Sequence, residues 1–245
     1  MTKTLGIIGC GHVGGTVARL AVAAGLDVVL SNSRGPETLT DLVAELGTRA
    51  RAATPTEAAQ AGDLVVAAVP LHAHDQLPAT ALAGKTVVDT TNYYPERDGH
   101  ITELDTNELT SSELVQRHLA DAHVVKALNS IGPHQLLSLA RPAGASDRNA
   151  LPIAGNDAGA KGEATQLLDA LGHDAVDIGS LADSWRSGPN TALYGVLYVG
   201  QPPSGMNAEE LQQWAAQTPG VPVPAERVKA LADSAARGAA GASYT

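Results

Sequence analysis

Short apolar runs closed by glycine or a polar turn alternate along this chain with segments whose apolar positions recur at helical spacing. Thr4-Leu5-Gly6-Ile7-Ile8-Gly9 reads as a buried strand. Val13, Val17, Leu20, Ala21 and Ala24 follow at helical spacing, and Gly25 stops that helix. Residues 27–31 predict a second strand, and residues 36–46 a helix with Pro36 in its first turn and Gly47 at its end. Further strands are expected at 51–53, 63–69, 86–90, 124–128, 150–154 and 175–178, with helices at 56–61, 111–120 and 157–171. Strand alternating with helix at this pitch predicts an α/β fold, a Rossmann-type doubly wound parallel sheet covered on both faces, with a smaller C-terminal part. The boundary is expected near residue 130, giving a nucleotide-binding domain at 1–130 and a part at 131–245 that completes the substrate cleft.

Two stretches break the rhythm. Residues 93–110 are polar, with Pro95 and Gly99, and predict a long surface loop. Residues 188–223 carry Pro189, Pro202, Pro203, Pro219 and Pro222, and predict irregular coil around a short helix at 208–216. A last helix at 225–237 precedes a small-residue tail, 238–242, expected to fray.

Composition narrows the function classes. The chain has 245 residues, enough for a sizeable core, and a net charge of -10 from 16 basic and 26 acidic side chains. An acidic surface repels phosphate backbones, and aromatic residues at 3% with no Phe offer no stacking platform, so nucleic acid is not an expected partner. No apolar run is long enough to span a membrane. A single cysteine excludes a disulfide framework, and a strand starting almost at the first residue leaves no room for a signal peptide. The expected setting is the cytoplasm.

The chemistry concentrates in one loop. Gly9-Cys10-Gly11-His12-Val13-Gly14 is G-x-G-x-x-G, placed directly after a strand and opening a helix. Gly9 makes the tight turn, Gly11 lets backbone approach a pyrophosphate, and Gly14 permits close helix–strand packing, while free N–H groups offer an anion site. The end of the second strand then chooses the cofactor. Dinucleotide sites for NAD place a carboxylate there, whereas this chain has Ser31-Asn32-Ser33-Arg34. Hydroxyls, an amide and a guanidinium suit a 2′-phosphate, so NADP(H) is expected.

The nicotinamide end must lie over the other strand ends, Val69-Pro70, Asn92-Tyr93 and Ala127-Leu128-Asn129. Val69 and Pro70 are expected to offer backbone contact, and Asn92 and Asn129 to touch cofactor or substrate; both asparagines would serve equally as helix caps or Asx turns. The expected hydride pocket is bounded by Pro70, Asn92, Tyr93, Asn129 and Ile131, with His134 at its rim as the proton-handling candidate. An exposed helix-start histidine is the structural alternative for His134. His72 and His74, two residues apart, face different sides of a helix, and no metal site is expected.

Val125-Lys126-Ala127-Leu128-Asn129, then Leu151-Pro152-Ile153-Ala154-Gly155-Asn156-Asp157 and Ala160-Lys161, together with the glycine loop and Ser31-Asn32-Ser33-Arg34-Gly35, resemble the coenzyme F-420-dependent NADP oxidoreductase family. The resemblance runs from residue 4 to about residue 198. It implies a homodimer that binds NADP(H) through Ser31, Ser33 and Arg34 and exchanges hydride with a deazaflavin, coenzyme F-420. Two other functions stay open from the residues alone. One is an NADPH-dependent reductase of another small acceptor (ketone, imine, flavin or ferric complex). The other is a non-catalytic NADP(H)-sensing protein.

Overall fold

The computed structural model describes residues 4–241. Eight strands form one sheet: β1 (Thr4–Ile8), β2 (Asp27–Ser31), β3 (Ala50–Ala52), β4 (Leu64–Ala67), β5 (Thr86–Asp89), β6 (His123–Lys126), β7 (Ala150–Gly155) and β8 (Asp174–Asp177). Their spatial order is β3-β2-β1-β4-β5-β6-β7-β8. β1 at the centre pairs in parallel with β2 and β4, so the chain reverses its direction of winding there. In doubly wound sheets such a switch point opens the crevice that takes ligands.

The apolar strand runs bury both faces. On one side Ile7, Val66, Val88, Val125 and Ala127 pack with Val17 and Ala18 of the first helix, His12–Ala23. On the other, Ile8, Val65, Val87 and Val124 pack with Leu114 and Val115 of the helix Ser111–His118. Thr54 and Thr110 each cap a helix through a reciprocal bond with a glutamate three residues on.

The doubly wound parallel sheet is as expected except at one pairing, where β7 runs antiparallel to β6. Between them stands only a six-residue helix, Pro133–Ser138, and irregular chain, with no long crossover helix to carry the backbone across the sheet. β7 overlaps β6 through just two residue pairs, Val125 with Gly155 and Lys126 with Ala154. Its earlier residues therefore run past the end of β6, and with β8 and the helix Ala158–Ala170 they build a wall beyond the strand ends.

The polar stretch after β5 also differs from expectation. It forms two short helices, Pro95–Asp98 and Thr102–Asp105, and buries Tyr93 and Leu104 in the core. Tyr93 explains the burial: its hydroxyl donates to Asp105 at 2.6 Å and accepts from the Ile101 amide at 3.0 Å, which folds the segment around the ring. The Pro-rich region holds the helix Ala208–Gln217 and a one-turn helix, Val196–Val199, whose Tyr198 is fully buried. The last helix ends at Ser234. The tail, expected to fray, is tied down as far as Gly241: Asn107 donates to the Gly238 carbonyl and Asn190 to the Gly241 carbonyl. Ala242 lies outside the described residues.

Candidate active site

The glycine loop joins β1 to the first helix as the motif requires. Gly9 has φ +98°, and a Cβ there would meet the Ala68 carbonyl oxygen at 2.3 Å. A Cβ on Gly14 would meet the Gly9 carbonyl oxygen at 2.0 Å, so this glycine lets helix and strand approach. At Gly11 a Cβ would meet nothing within 4 Å, and the position faces open space. The helix has Gly11 at its cap, no side-chain cap bond and no acidic residue in its first turn, leaving its first N–H groups for an anion. His12 is exposed and Val13 half-buried beside them. Burial pushes the Cys10 thiol up to about 11, more than the Ser31 backbone bond lowers it, so Cys10 is a neutral neighbour of the loop.

At the end of β2 the four expected contacts divide. Ser31 is fully buried, and its hydroxyl donates to the Ile7 carbonyl at 3.0 Å, while its own carbonyl accepts from the Gly9 and Cys10 amides. Its side chain thus locks β2 to the glycine loop and is turned away from any ligand, against the expectation that it would hold a 2′-phosphate. Asn32 frames the turn, accepting from the Arg34 amide at 3.0 Å and donating to the Thr38 hydroxyl at 2.7 Å. Ser33 and Arg34 are exposed, and their side chains bond to no described residue. A serine and a guanidinium without partners, on a turn held rigid from behind, are a cradle that suits a phosphate. The sequence reading missed Thr38, whose hydroxyl links Asn32 to the Gly35 carbonyl, and Glu37, whose carboxylate folds against Gly35.

At the far end of the edge, Asn92 and Asn129 bond to each other. Asn129 Nδ2 donates to Asn92 Oδ1 at 3.1 Å and to the Ser187 carbonyl at 2.8 Å, and Asn92 Nδ2 donates to the Asn129 carbonyl at 2.9 Å. Neither residue is a cap or an Asx turn. Leu128, buried between Ala127 and Asn129, has φ +61°, a left-handed conformation costly for a branched side chain, and it bends the chain so that Asn129 meets Asn92. Arg97 donates to the Asn92 carbonyl at 2.8 Å and lies 4.8 Å over the Tyr94 ring, and the Tyr94 and Tyr194 hydroxyls bond to each other next to Asn92.

Beneath this pair is a buried ion pair that the sequence reading did not single out. Asp89 and Lys126 close their strands as registered neighbours on β5 and β6, and are 0% and 2% exposed. Lys126 Nζ donates to Asp89 Oδ2 at 3.2 Å, to the Ser111 hydroxyl at 3.2 Å and to the Thr91 carbonyl. Asp89 also accepts from the Thr91 amide at 2.8 Å and from the Ser112 hydroxyl at 2.6 Å. Burial pulls the Lys126 ammonium below its usual range, and the Asp89 charge and hydrogen bond oppose the fall. The pair pins Thr91, and with it the backbone that carries Asn92. A charged residue closing an otherwise apolar strand was the available signal for it.

Other expected residues sit apart. Val69 is half-buried and Pro70 exposed at the end of β4, and Ala127 and Ile131 are buried. Tyr93, expected as a pocket wall, is buried with its hydroxyl on Asp105, and it lines a cavity that also includes Lys126 and Trp185. His134 is exposed on the helix Pro133–Ser138 and bonds to no described residue. His72 bonds to Asp98 and His74 to the Leu71 carbonyl.

With this geometry in place, the comparisons with known proteins converge on one class. Residues 4–93 match the family model described as NADP oxidoreductase, coenzyme F420-dependent. No curated protein sequence matches the chain. Among solved structures, a hypothetical protein of Sinorhizobium meliloti is 29% identical with a TM-score of 0.69, covering 79% of this chain and 93% of its own. A candidate F420-dependent NADP-reductase of Arthrobacter sp. FB24 is 29% identical with a TM-score of 0.64, covering 75% of this chain and 87% of its own. A reductive aminase of Aspergillus terreus, solved with NADPH, is 20% identical with a TM-score of 0.53 over 74% of this chain and 56% of its own, a likeness of fold. The family matched over residues 4–93 and the Arthrobacter neighbour are NADP-dependent oxidoreductases, and the sheet of this chain is Rossmann-type. The family resemblance read from its motifs is borne out by the match over residues 4–93.

Proposed function

We propose that the protein exchanges a hydride between NADP(H) and the deazaflavin coenzyme F-420, with Ser33 and Arg34 on the 2′-phosphate and the nicotinamide at the Asn92–Asn129 edge. The backbone of Gly9, Gly11, His12, Val13 and Gly14 holds the pyrophosphate, Asn32 braces the phosphate turn, and Val69 and Pro70 line the path between the two ends, with Ala127 buried in the core behind it. The open space at Gly11, facing uncapped helix N–H groups, supports the fit to a dinucleotide. NADP(H) supplies the hydride when bound.

The observation that carries this reading is the amide pair. Asn92 and Asn129 are neutral, fixed by mutual bonds, and set at the nicotinamide end of the edge. Hydride passage between two bound rings requires a donor and acceptor held at about 3–3.5 Å more than it requires a protein acid. A second reading, reduction of a carbonyl or imine, is favoured by the Tyr94–Tyr194 hydroxyl pair beside Asn92, which offers a proton to such an acceptor.

NADPH oxidation measured against F-420, FMN, ferric chelates and small carbonyls separates the readings. F-420 should be reduced fastest, and a faster carbonyl or imine, with loss of activity in Tyr194→Phe, would replace it by the second reading. Arg34→Ala should weaken NADPH by at least about tenfold, ~1.4 kcal/mol, and NADH far less. We also propose a two-fold homodimer through the part beyond residue 131, where Leu137, Val196 and Val221 are exposed. A monomeric mass by light scattering would count against it.

A further inference from the structure

A cavity of about 180 Å³ opens on the face of the sheet opposite the first helix. Lys126 forms part of its floor, the start of the helix Ser111–His118 and the turn Leu181–Ser187 form its sides, and residues 237–241 close over it. Val125 and Ala127 face the first helix, whereas Lys126 between them projects to the other face, so the cavity lies on the side of the sheet away from the first helix. We propose that it is a second ligand site, which takes a small carboxylate with an apolar body.

Three observations point to that chemistry. The Ser184 hydroxyl lines the cavity, is 2% exposed and has no hydrogen-bond partner among the described residues. A buried hydroxyl without a partner is destabilising, and a ligand oxygen relieves it. The Ser111 hydroxyl accepts from Lys126 and keeps its own proton to donate.

The charge pattern agrees. In a chain with net charge -10, this cavity is lined by Lys126 and Arg237 and by no Asp or Glu among the described residues. Asp89 lies behind Lys126 and is already engaged by Ser112 and the Thr91 amide. A buried ammonium sharing a single carboxylate gains from a second anion nearby. The Trp185 ring supplies an apolar wall, with the Arg237 guanidinium 5.9 Å from its centre as positive charge at the mouth; Arg186, 5.0 Å from the same ring, lies outside the lining and pairs with Asp183.

The closing strap is held by few bonds. Arg237 donates to the Leu109 carbonyl at 3.1 Å, Asn107 to the Gly238 carbonyl at 3.0 Å and Asn190 to the Gly241 carbonyl, all at exposed positions. Such a segment opens at little cost, which gives a ligand its way in.

The test is calorimetric titration of the full chain with benzoate, and with benzamide as the uncharged probe of the same shape. Benzoate should bind saturably and at least about tenfold tighter than benzamide. Ser184→Val and Arg237→Gln should each weaken benzoate about tenfold while NADPH affinity, followed by its own fluorescence, stays as in wild type. Should Ser184→Val fail to fold, Ser184→Ala, with a smaller expected loss, serves instead. Absence of benzoate binding, equal binding of benzamide, or insensitivity to both variants would overturn the site. Loss of benzoate binding on saturation with NADPH would place it in the dinucleotide cleft and overturn it equally. None of these outcomes depends on which acceptor oxidises NADPH.

Discussion

The two ends of the sheet's C-terminal edge are built in opposite ways. At the β1–β2 end, the groups that face outward are left unsatisfied: an open position at Gly11, uncapped helix N–H groups, and the free side chains of Ser33 and Arg34. At the β5–β6 end the amides and charges satisfy one another, with Asn92 against Asn129 and Asp89 against Lys126, while the buried Thr91 hydroxyl alongside has no partner among the described residues. The first arrangement suits the phosphate binding proposed for it, because its hydrogen bonds and partial charges are unmet. The second suits the positioning role proposed for it, because amides and charges bonded to one another in low dielectric are held in place. The comparison breaks most sharply at the glycines. Gly11→Val should abolish NADPH binding, a loss of at least about a hundredfold or ~2.7 kcal/mol, with the thermal midpoint near wild type. Gly14→Val, whose Cβ has the Gly9 carbonyl at 2.0 Å, should instead fail in stability. Equal melting behaviour of the two variants would erase the distinction between ligand-facing and packing glycines.

At the positioning end the largest effect is expected from Asp89→Asn. The change keeps the shape and leaves the Lys126 ammonium buried beside a neutral amide. Removing one partner of a buried pair costs about 3–5 kcal/mol, much of it from the charge left behind. Urea denaturation should show a loss of that order, and Lys126→Met in the same background should recover part of it, since the stranded charge is then gone. A double variant less stable than Asp89→Asn alone would mean that the ammonium contributes chiefly through Thr91 and Ser111.

What the sequence disclosed follows the same division. The strands, the first helix and the glycine loop were legible because period and glycine placement act locally, between residues near one another in the chain. Local rules also govern the turn at Asn32, where the sequence suggested only a phosphate contact. They could not orient Ser31, whose hydroxyl is taken by Ile7, twenty-four residues earlier. Nor could they pair Asn92 with Asn129, thirty-seven residues apart, since that needs the β5–β6 register and the bend at Leu128. The reversal of β7 was hidden for a like reason: the six-residue helix before it carries no mark of the direction in which the chain returns. Tyr93 looked like part of a polar loop because its partners, Asp105 and Ile101, become neighbours only once the segment folds back.

Beyond the edge, the C-terminal wall carries a titratable group that belongs to packing. His173 is fully buried, bonded to the Leu136 carbonyl at 2.9 Å, and burial pushes its imidazole down from 6.5 to about 4. The native state therefore keeps it neutral where the unfolded chain protonates it, so the unfolded state binds more protons. This contribution is fully present above pH 6.5 and is lost as the pH falls from there toward 4. Between pH 6.5 and 5 the loss should be about 2 kcal/mol, and His173→Gln should flatten that slope in urea titrations at the two pH values. An unchanged slope would assign the acid sensitivity to other groups.

The smallest effect is expected where the sequence alone pointed to catalysis. His134 has the right residue type for proton handling, but it stands exposed on the helix after Ile131 and bonds to no described residue. A general base works through a fixed geometry with the proton it moves, and an unrestrained surface imidazole lacks one. The positioning network runs instead through Asn129, Asn92 and Ser187, which are held by bonds of 2.8–3.1 Å. His134→Ala should lower turnover by tenfold or less, at most ~1.4 kcal/mol in the barrier, with NADPH affinity unchanged. Asn129→Leu should cost more, because it removes the bonds to Asn92 and Ser187 and puts a branched side chain into the hydride path. If His134→Ala instead lost several orders of magnitude with NADPH still bound, proton transfer would be the demanding step. The acceptor would then be a carbonyl or imine, and the β5–β6 end of the edge would be an acid–base site in place of a positioning one.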